Sequence, residues 1–192
     1  MKLYSIVLLT FLIVSCNPVS NTEDKKMGES AQGSVIPKGY DPEANLAKLD
    51  VEFRDQGTPV ANYVHGVQTG NLIFLAGKGP KQANGENIIG KLGVELTVEE
   101  GYAAAREVGI NQLSVLKDML GNLNRVKRII KVKGMVNAAP DFTDQSKVIN
   151  GYSDLMVAVF GENGKHARAA VGMGSLPGNM AVEVEMIVEV WE

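Results

Sequence analysis

Residues 181–191, AVEVEMIVEVW, alternate with period two. Val182, Val184, Met186, Val188 and Val190 fall on one face, and Glu183, Glu185, Ile187, Glu189 and Trp191 on the other, the pattern of a strand with one face in a core. Just before it, Leu176-Pro177-Gly178-Asn179 gathers residues that preset φ or tolerate positive φ, so the chain should turn there and run back beside the preceding segment. That expectation places Arg168 near the start of one strand of a pair and Glu183 in its partner. A permanently charged guanidinium in a run of Ala and Val must either reach water or find an anion.

The chain has 192 residues, 45% hydrophobic and 21% charged, with net charge -3. That suits one globular domain with a real core and leaves no electrostatic footprint for nucleic acid. The basic cluster Arg125, Lys127, Arg128, Lys131 and Lys133 reads as the solvated end of a helix and the edge of a strand. Residues 1–15 carry a positive Lys2, an apolar run too short for a comfortable membrane span, and a small-residue cleavage site leading to Cys16. They are similar to a bacterial lipoprotein signal peptide, which makes Cys16 the expected lipidated residue. The expected address is the bacterial cell envelope, with membrane contact by the lipid anchor only. Residues 16–40 are polar, with almost no large apolar side chain, and read as a flexible tether. The domain is expected over residues 41–192.

Cys16 is the only cysteine, so disulfides within the mature chain and a catalytic thiol in the domain are excluded. Two histidines, His65 and His166, without a carboxylate cluster argue against a metal site. The counts leave a Ser-His-Asp arrangement open, but no G-x-S-x-G turn occurs, and no G-x-G-x-x-G or Walker-type loop suggests a cofactor.

Within the domain, residues 41–49 suggest a helical turn with Ala44, Leu46 and Leu49 docking on the body. Residues 60–67 (VANYVHGV) and 71–76 (NLIFLA) flank the turn sequence Gln68-Thr69-Gly70-Asn71 and suggest a hairpin whose second strand is the more central. Thr97 and Glu100 form a capping-box sequence opening a helix that Gly121 closes. Its apolar stripe is Tyr102, Ala105, Val108, Gly109, Leu113, Leu116, Met119 and Leu120, with Glu107, Asn111, Ser114, Lys117 and Asp118 opposite. Small Ala105 and Gly109 should let it approach a sheet closely. Residues 125–137 alternate as a strand with Ile130, Val132 and Val136 inward. Residues 143–160 form a second helix with Val148, Tyr152, Leu155, Met156 and Val159 buried. The order strand, strand, helix, strand, helix, strand, strand, with helices amphipathic on one stripe only, gives an α+β class.

These elements, the YVHGV-x-x-GNLIFLAG hairpin, the passage through Asn150 and above all the closing HARAAVGMGSLPGNMAVEVE resemble the RidA/YjgF family, in the branch labelled endoribonuclease L-PSP or chorismate-mutase-like. The resemblance covers about residues 46–192. It implies a six-stranded mixed sheet with two helices packed on one face, assembled as a homotrimer with a ligand cleft at each subunit interface and no cofactor. It further implies that Arg168 grips the carboxylate of a 2-imino or enamine acid and that Glu183 positions the attacking water. Tyr63, Asn150, Ala76, Gly77 and Ala170 would line the cleft. Ala76-Gly77-Lys78 stands where deaminating members carry a serine followed by Gly-Gln, Ala170 where they carry a small polar or thiol side chain, and Gly172 where they carry an acid. Two functions therefore stay open: hydrolysis of 2-imino or enamine acids to 2-keto acids and ammonia, and a non-catalytic envelope module that captures small carboxylates. Ribonuclease activity rests on the family label alone and finds no basic groove or acid/base pair.

Overall fold

The computed structural model describes residues 35–49, 51–59 and 61–192. Cys16, the signal segment and most of the tether lie outside the described residues. The described chain runs α1 (Pro42–Leu46), β1 (Gly66–Thr69), β2 (Leu72–Lys78), α2 (Val98–Leu120), β3 (Val126–Asn137), α3 (Gln145–Phe160), β4 (Ala167–Met173) and β5 (Val182–Val190). The strands form one mixed sheet in the order β1-β2-β5-β3-β4, with β3 and β4 parallel and the other pairs antiparallel. Among the described residues this is five strands, the number read from the alternating runs, where the resemblance implied six. Ahead of β1, Arg54 gives its backbone N–H to Ser114 Oγ at 3.0 Å and pairs its guanidinium with Glu107 at 2.5 Å, both on α2, with a further bond to Lys81 O, so this segment packs against a helix.

The order corrects a second expectation. β4 and β5 do not pair, because residues 174–181 carry the chain past the end of β3, with a short 3-10 turn at Pro177–Asn179, and β5 enters between β2 and β3. The turn residues set a change of direction but not its span. Arg168 therefore lies beside Val132, and Glu183 beside Met135 one strand further in.

α2 begins with the capping box the sequence predicts, Thr97 Oγ1 accepting from Glu100 N and Glu100 Oε2 from Thr97 N, and ends on Gly121 in the left-handed region at φ 73°. α2 and α3 cover one face of the sheet. Between them lie Val108, Leu113, Leu116, Tyr152, Met156 and Val159, facing Ile73, Leu75, Val132, Val184, Met186 and Val188. Each fully buried side chain of this size contributes about 1.5–3 kcal/mol.

Several faces differ from the sequence expectation. Asn111 and Ser114 are buried, while Tyr102 and Met119 are partly exposed, because α2 touches more than the sheet alone. Ala44 is exposed and Pro42 buried in α1. In β3 the core position is Ile129, not Ile130: its pairing with β5 slips between Val126 and Arg128 and again between Ile129 and Lys131, and each extra residue reverses the alternation. Gly109 approaches α3, not the sheet; a Cβ there would sit 2.9 Å from Leu155 Cδ2.

Candidate functional site

Partnered residues on neighbouring strands share a face, so the registers decide which site residues can meet. Val132 pairs with both Arg168 and Met186, and Met186 is buried under α3, where Tyr152 Oη donates to its Sδ at 3.0 Å. Arg168 therefore lies on the helix-covered face. Glu183 pairs with Met135, which pairs with Val171, on the opposite face. The two residues expected to act together occupy opposite sides of the sheet in one chain.

On the helix side, α3 presents Asn150 and Ser153, three residues apart and thus on one flank, to the edge strand β4. Arg168 Nη1 donates to Asn150 Oδ1 at 2.9 Å and to Ser153 Oγ at 3.0 Å, with a longer contact from Nη2 to Ser146 O at 3.5 Å. The pairing of Asn150 with Arg168 brings together two of the expected site residues. Behind them, His166 Nδ1 lies 2.7 Å from Gly164 O and so carries the proton, leaving Nε2 to accept from the Ser153 hydroxyl at 3.1 Å. Burial lowers the imidazole pKa below its usual value and the Arg168 charge adds to that, against the opposing pull of Gly164 O. Ser153, His166 and Arg168 border a shallow cavity of about 220 Å³ with Val157 and Lys165, and Asn150 borders another of about 320 Å³ with Tyr102 and Lys147. With Nη1 fixed by α3, the remaining guanidinium edge suits a carboxylate, which it can grip bidentately.

On the other face, Glu183 stands against Gly77. A Cβ at position 77 would meet the Glu183 carboxylate in its present rotamer, so glycine lets that carboxylate lie against the β2 backbone. Burial raises the Glu183 pKa above the ordinary carboxylate value and the neighbouring Glu185 raises it further, with Lys133 pulling the other way. A carboxyl that holds its proton more readily than an ordinary carboxylate suits a group handing protons to and from water. Ala76 contributes backbone: its N–H donates to His65 O at 2.9 Å and its carbonyl accepts from Gln112 Nε2 at 3.0 Å. Tyr63, half exposed, meets the His65 ring edge-on at 6.5 Å beside the β1 edge. Four strand spacings, about 19 Å, separate that edge from β4. Ala170 pairs with Gly134 on the helix side and packs against the core.

One chain thus holds the expected residues in three places: Arg168 with Asn150, Gly77 with Glu183, and Tyr63 at the far edge. Sequence reasoning missed Ser153, His166 and Lys78. Lys78 Nζ lies 2.8 Å from His65 Nδ1, whose Nε2 reaches Gly57 O at 2.9 Å, and burial, then the charge of Lys81, lowers its pKa. The signal available for the first two was spacing, Ser153 three residues after Asn150 and His166 two before Arg168.

Along residues 43–190 the chain matches the family profile described as "YjgF/chorismate_mutase-like, putative endoribonuclease". It is 45% identical over 157 residues to Protein TCP17 of Trypanosoma cruzi, a match spanning 81% of this chain and 98% of that protein. Among solved structures it is similar to the protein Atu1372 of Agrobacterium tumefaciens, of unknown function, at 38% identity and a TM-score of 0.71, covering 78% of this chain and 91% of that one. It is also similar to RidA from an Antarctic Psychrobacter, at 25% identity and a TM-score of 0.50, covering 72% and 98%.

Proposed function

The chain belongs to the YjgF/chorismate mutase-like family, with its α+β fold and mixed sheet of five strands, and from that premise we propose that it binds small 2-imino or 2-oxo carboxylates through Arg168. The observation that carries this is the guanidinium held on one side by Asn150 and Ser153, beside a cavity, with an edge left for a planar anion. Charge-assisted bonds of this kind contribute roughly 1.5–3 kcal/mol each.

The chemistry that follows binding is hydrolysis of the imine. Water adds to the C=N carbon, a proton moves to nitrogen, and C–N cleavage releases ammonia and leaves a 2-keto acid. An imine is labile in water, so the protein's task is orientation and proton handling. Glu183 is the group whose raised pKa suits that role, and it lies on the opposite face from Arg168. The two can serve one ligand only if copies of the chain assemble so that Arg168 of one faces Glu183 of another. A homotrimer with its clefts between subunits meets that requirement, and the side chains of Val67, Phe74 and Val171, partly exposed, supply apolar area for such contacts.

The opposite placement of Arg168 and Glu183 also favours a second function, capture of a carboxylate without turnover. Keto-acid release from freshly generated 2-iminobutyrate by the purified domain separates them. Release above the buffer rate that Arg168→Ala abolishes supports hydrolysis. Tight binding of 2-oxobutyrate without release supports the capture module, and neither binding nor release refutes both. We assign the chain to the bacterial envelope through lipid on Cys16. Cys16→Ser should move it from the membrane to the soluble fraction when it is expressed in a bacterium that processes lipoproteins, and an unchanged distribution refutes the anchor.

A further inference from the structure

The parallel pair β3 and β4 ends with Asn137 opposite Met173, and beyond that point the two chains part, one toward α3 and the other toward β5. In open parallel sheets ligands bind in the crevice outside the carboxyl ends of the strands, and the single parallel pair of this mixed sheet leaves a crevice at the same end. Here it is a cavity of about 550 Å³, bordered by Lys91, Phe142, Gln145, Gly172, Met173 and Gly174. That volume is in the range of small-molecule sites.

Its one cation is held in place from behind. Lys91 Nζ donates to Asn137 Oδ1 at 2.8 Å and to Gly174 O at 2.6 Å, which leaves one ammonium N–H. Asn137 is fully buried, and its amide donates to Gly90 O at 3.3 Å and Asn179 Oδ1 at 2.9 Å. Asn179, at φ 56°, is the one non-glycine residue at positive φ among the described residues. A satisfied buried polar network and a residue held in an uncommon conformation thus converge on a single lysine, the kind of local cost that accompanies functional sites. Across the cavity, Gln145 Nε2 donates to Phe142 O at 2.7 Å. A Cβ on Gly172 would come within 2.9 Å of that nitrogen, so glycine lets the amide lie against the strand. Glu95 turns its carboxylate to the Lys91 backbone N–H, 2.7 Å away.

We propose that this cavity is a second ligand site, taking a small monocarboxylate with a compact apolar body. The carboxylate pairs with Lys91 and accepts from Gln145, and the body lies between Phe142 and Met173. A single fixed cation with an otherwise neutral lining matches one negative charge. Arg168 does not border this cavity; it lies four residues before Gly172 on β4, about 13 Å back along the strand.

The test is a titration of the isotope-labelled domain with benzoate, and with uncharged benzamide as control, followed by amide chemical shifts. Benzoate should give saturable shifts at Gln145, Gly172, Met173 and Gly174 that benzamide does not. Lys91→Met should weaken binding about tenfold, the loss of one charge-assisted hydrogen bond, and Arg168→Ala should leave these shifts unchanged. Met173→Trp fills the mouth with Lys91 in place and should block the shifts, which keeps the test decisive if Lys91→Met disturbs the Asn137 network. Absence of saturable millimolar shifts overturns the proposal, as do equal shifts with benzamide or shifts that survive Met173→Trp.

Discussion

Arg168 matters by the shape of its charge as well as its sign. Because Asn150 and Ser153 fix one side of a planar fork, a lysine in its place keeps the charge but not the paired donors. Arg168→Ala should weaken 2-oxobutyrate binding about 10–100-fold, and Arg168→Lys should recover less than half of that free energy, both measurable by calorimetry. His166 makes the same cluster pH-sensitive. Its folded pKa is lowered, so the neutral ring is favoured on folding; the associated stability is complete above the unfolded value of 6.5 and is lost as pH falls through the folded value. The melting temperature should therefore drop more steeply below about pH 6.5 in the parent than in His166→Gln. Equal slopes would remove His166 from the account.

At the scale of elements, one helix side chain completes the sheet. The β2–β5 register jumps from Leu75 opposite Met186 to Lys78 opposite Val184, one extra residue on β2. Gln112, fully buried on α2, donates from Nε2 to Ala76 O at 3.0 Å and Val184 O at 2.8 Å, supplying partners around the irregularity. Gln112→Leu leaves both carbonyls short of a donor and should lower stability by about 2–4 kcal/mol in urea unfolding. The α2–α3 contact turns on Gly151, where a Cβ would overlap the Tyr102 carbonyl, a backbone group that cannot swing away. Gly151→Ala should destabilise by about 1–3 kcal/mol. The helix ends were legible in the sequence because capping is local: Thr97, Glu100 and Gly121 do what their types and spacing say. The phase of β3 was not, since nothing in RVKRIIKVKG marks where two extra residues are accommodated. Asn111 read as part of a polar flank because its partner, Gly79 O, lies more than thirty positions away in the chain.

For the whole molecule, the open question of assembly has a direct test. If the reacting groups come from different copies, Arg168→Ala and Glu183→Gln are each inactive, yet mixing them under exchange should restore about a quarter of the parent's activity, since that share of interfaces recovers both groups. No recovery in demonstrably mixed oligomers would refute a site shared between Arg168 of one copy and Glu183 of another. The closing sequence motif located Arg168 and Glu183 on strands but could not show their faces, because that depends on which strand lies between them. The strand that settles this is β5, fifth of the described strands in chain order and third in the sheet, with β2 and β3 paired to its two edges. Without β5 no strand pairing joins the hairpin to the β3–β4 pair, and the apolar stripe of Val182 to Val190 is missing from beneath the helices. Folding of the sheet therefore waits on β5: loss of residues 181–192 would split the hydrophobic layer through its middle rather than shorten it at an edge.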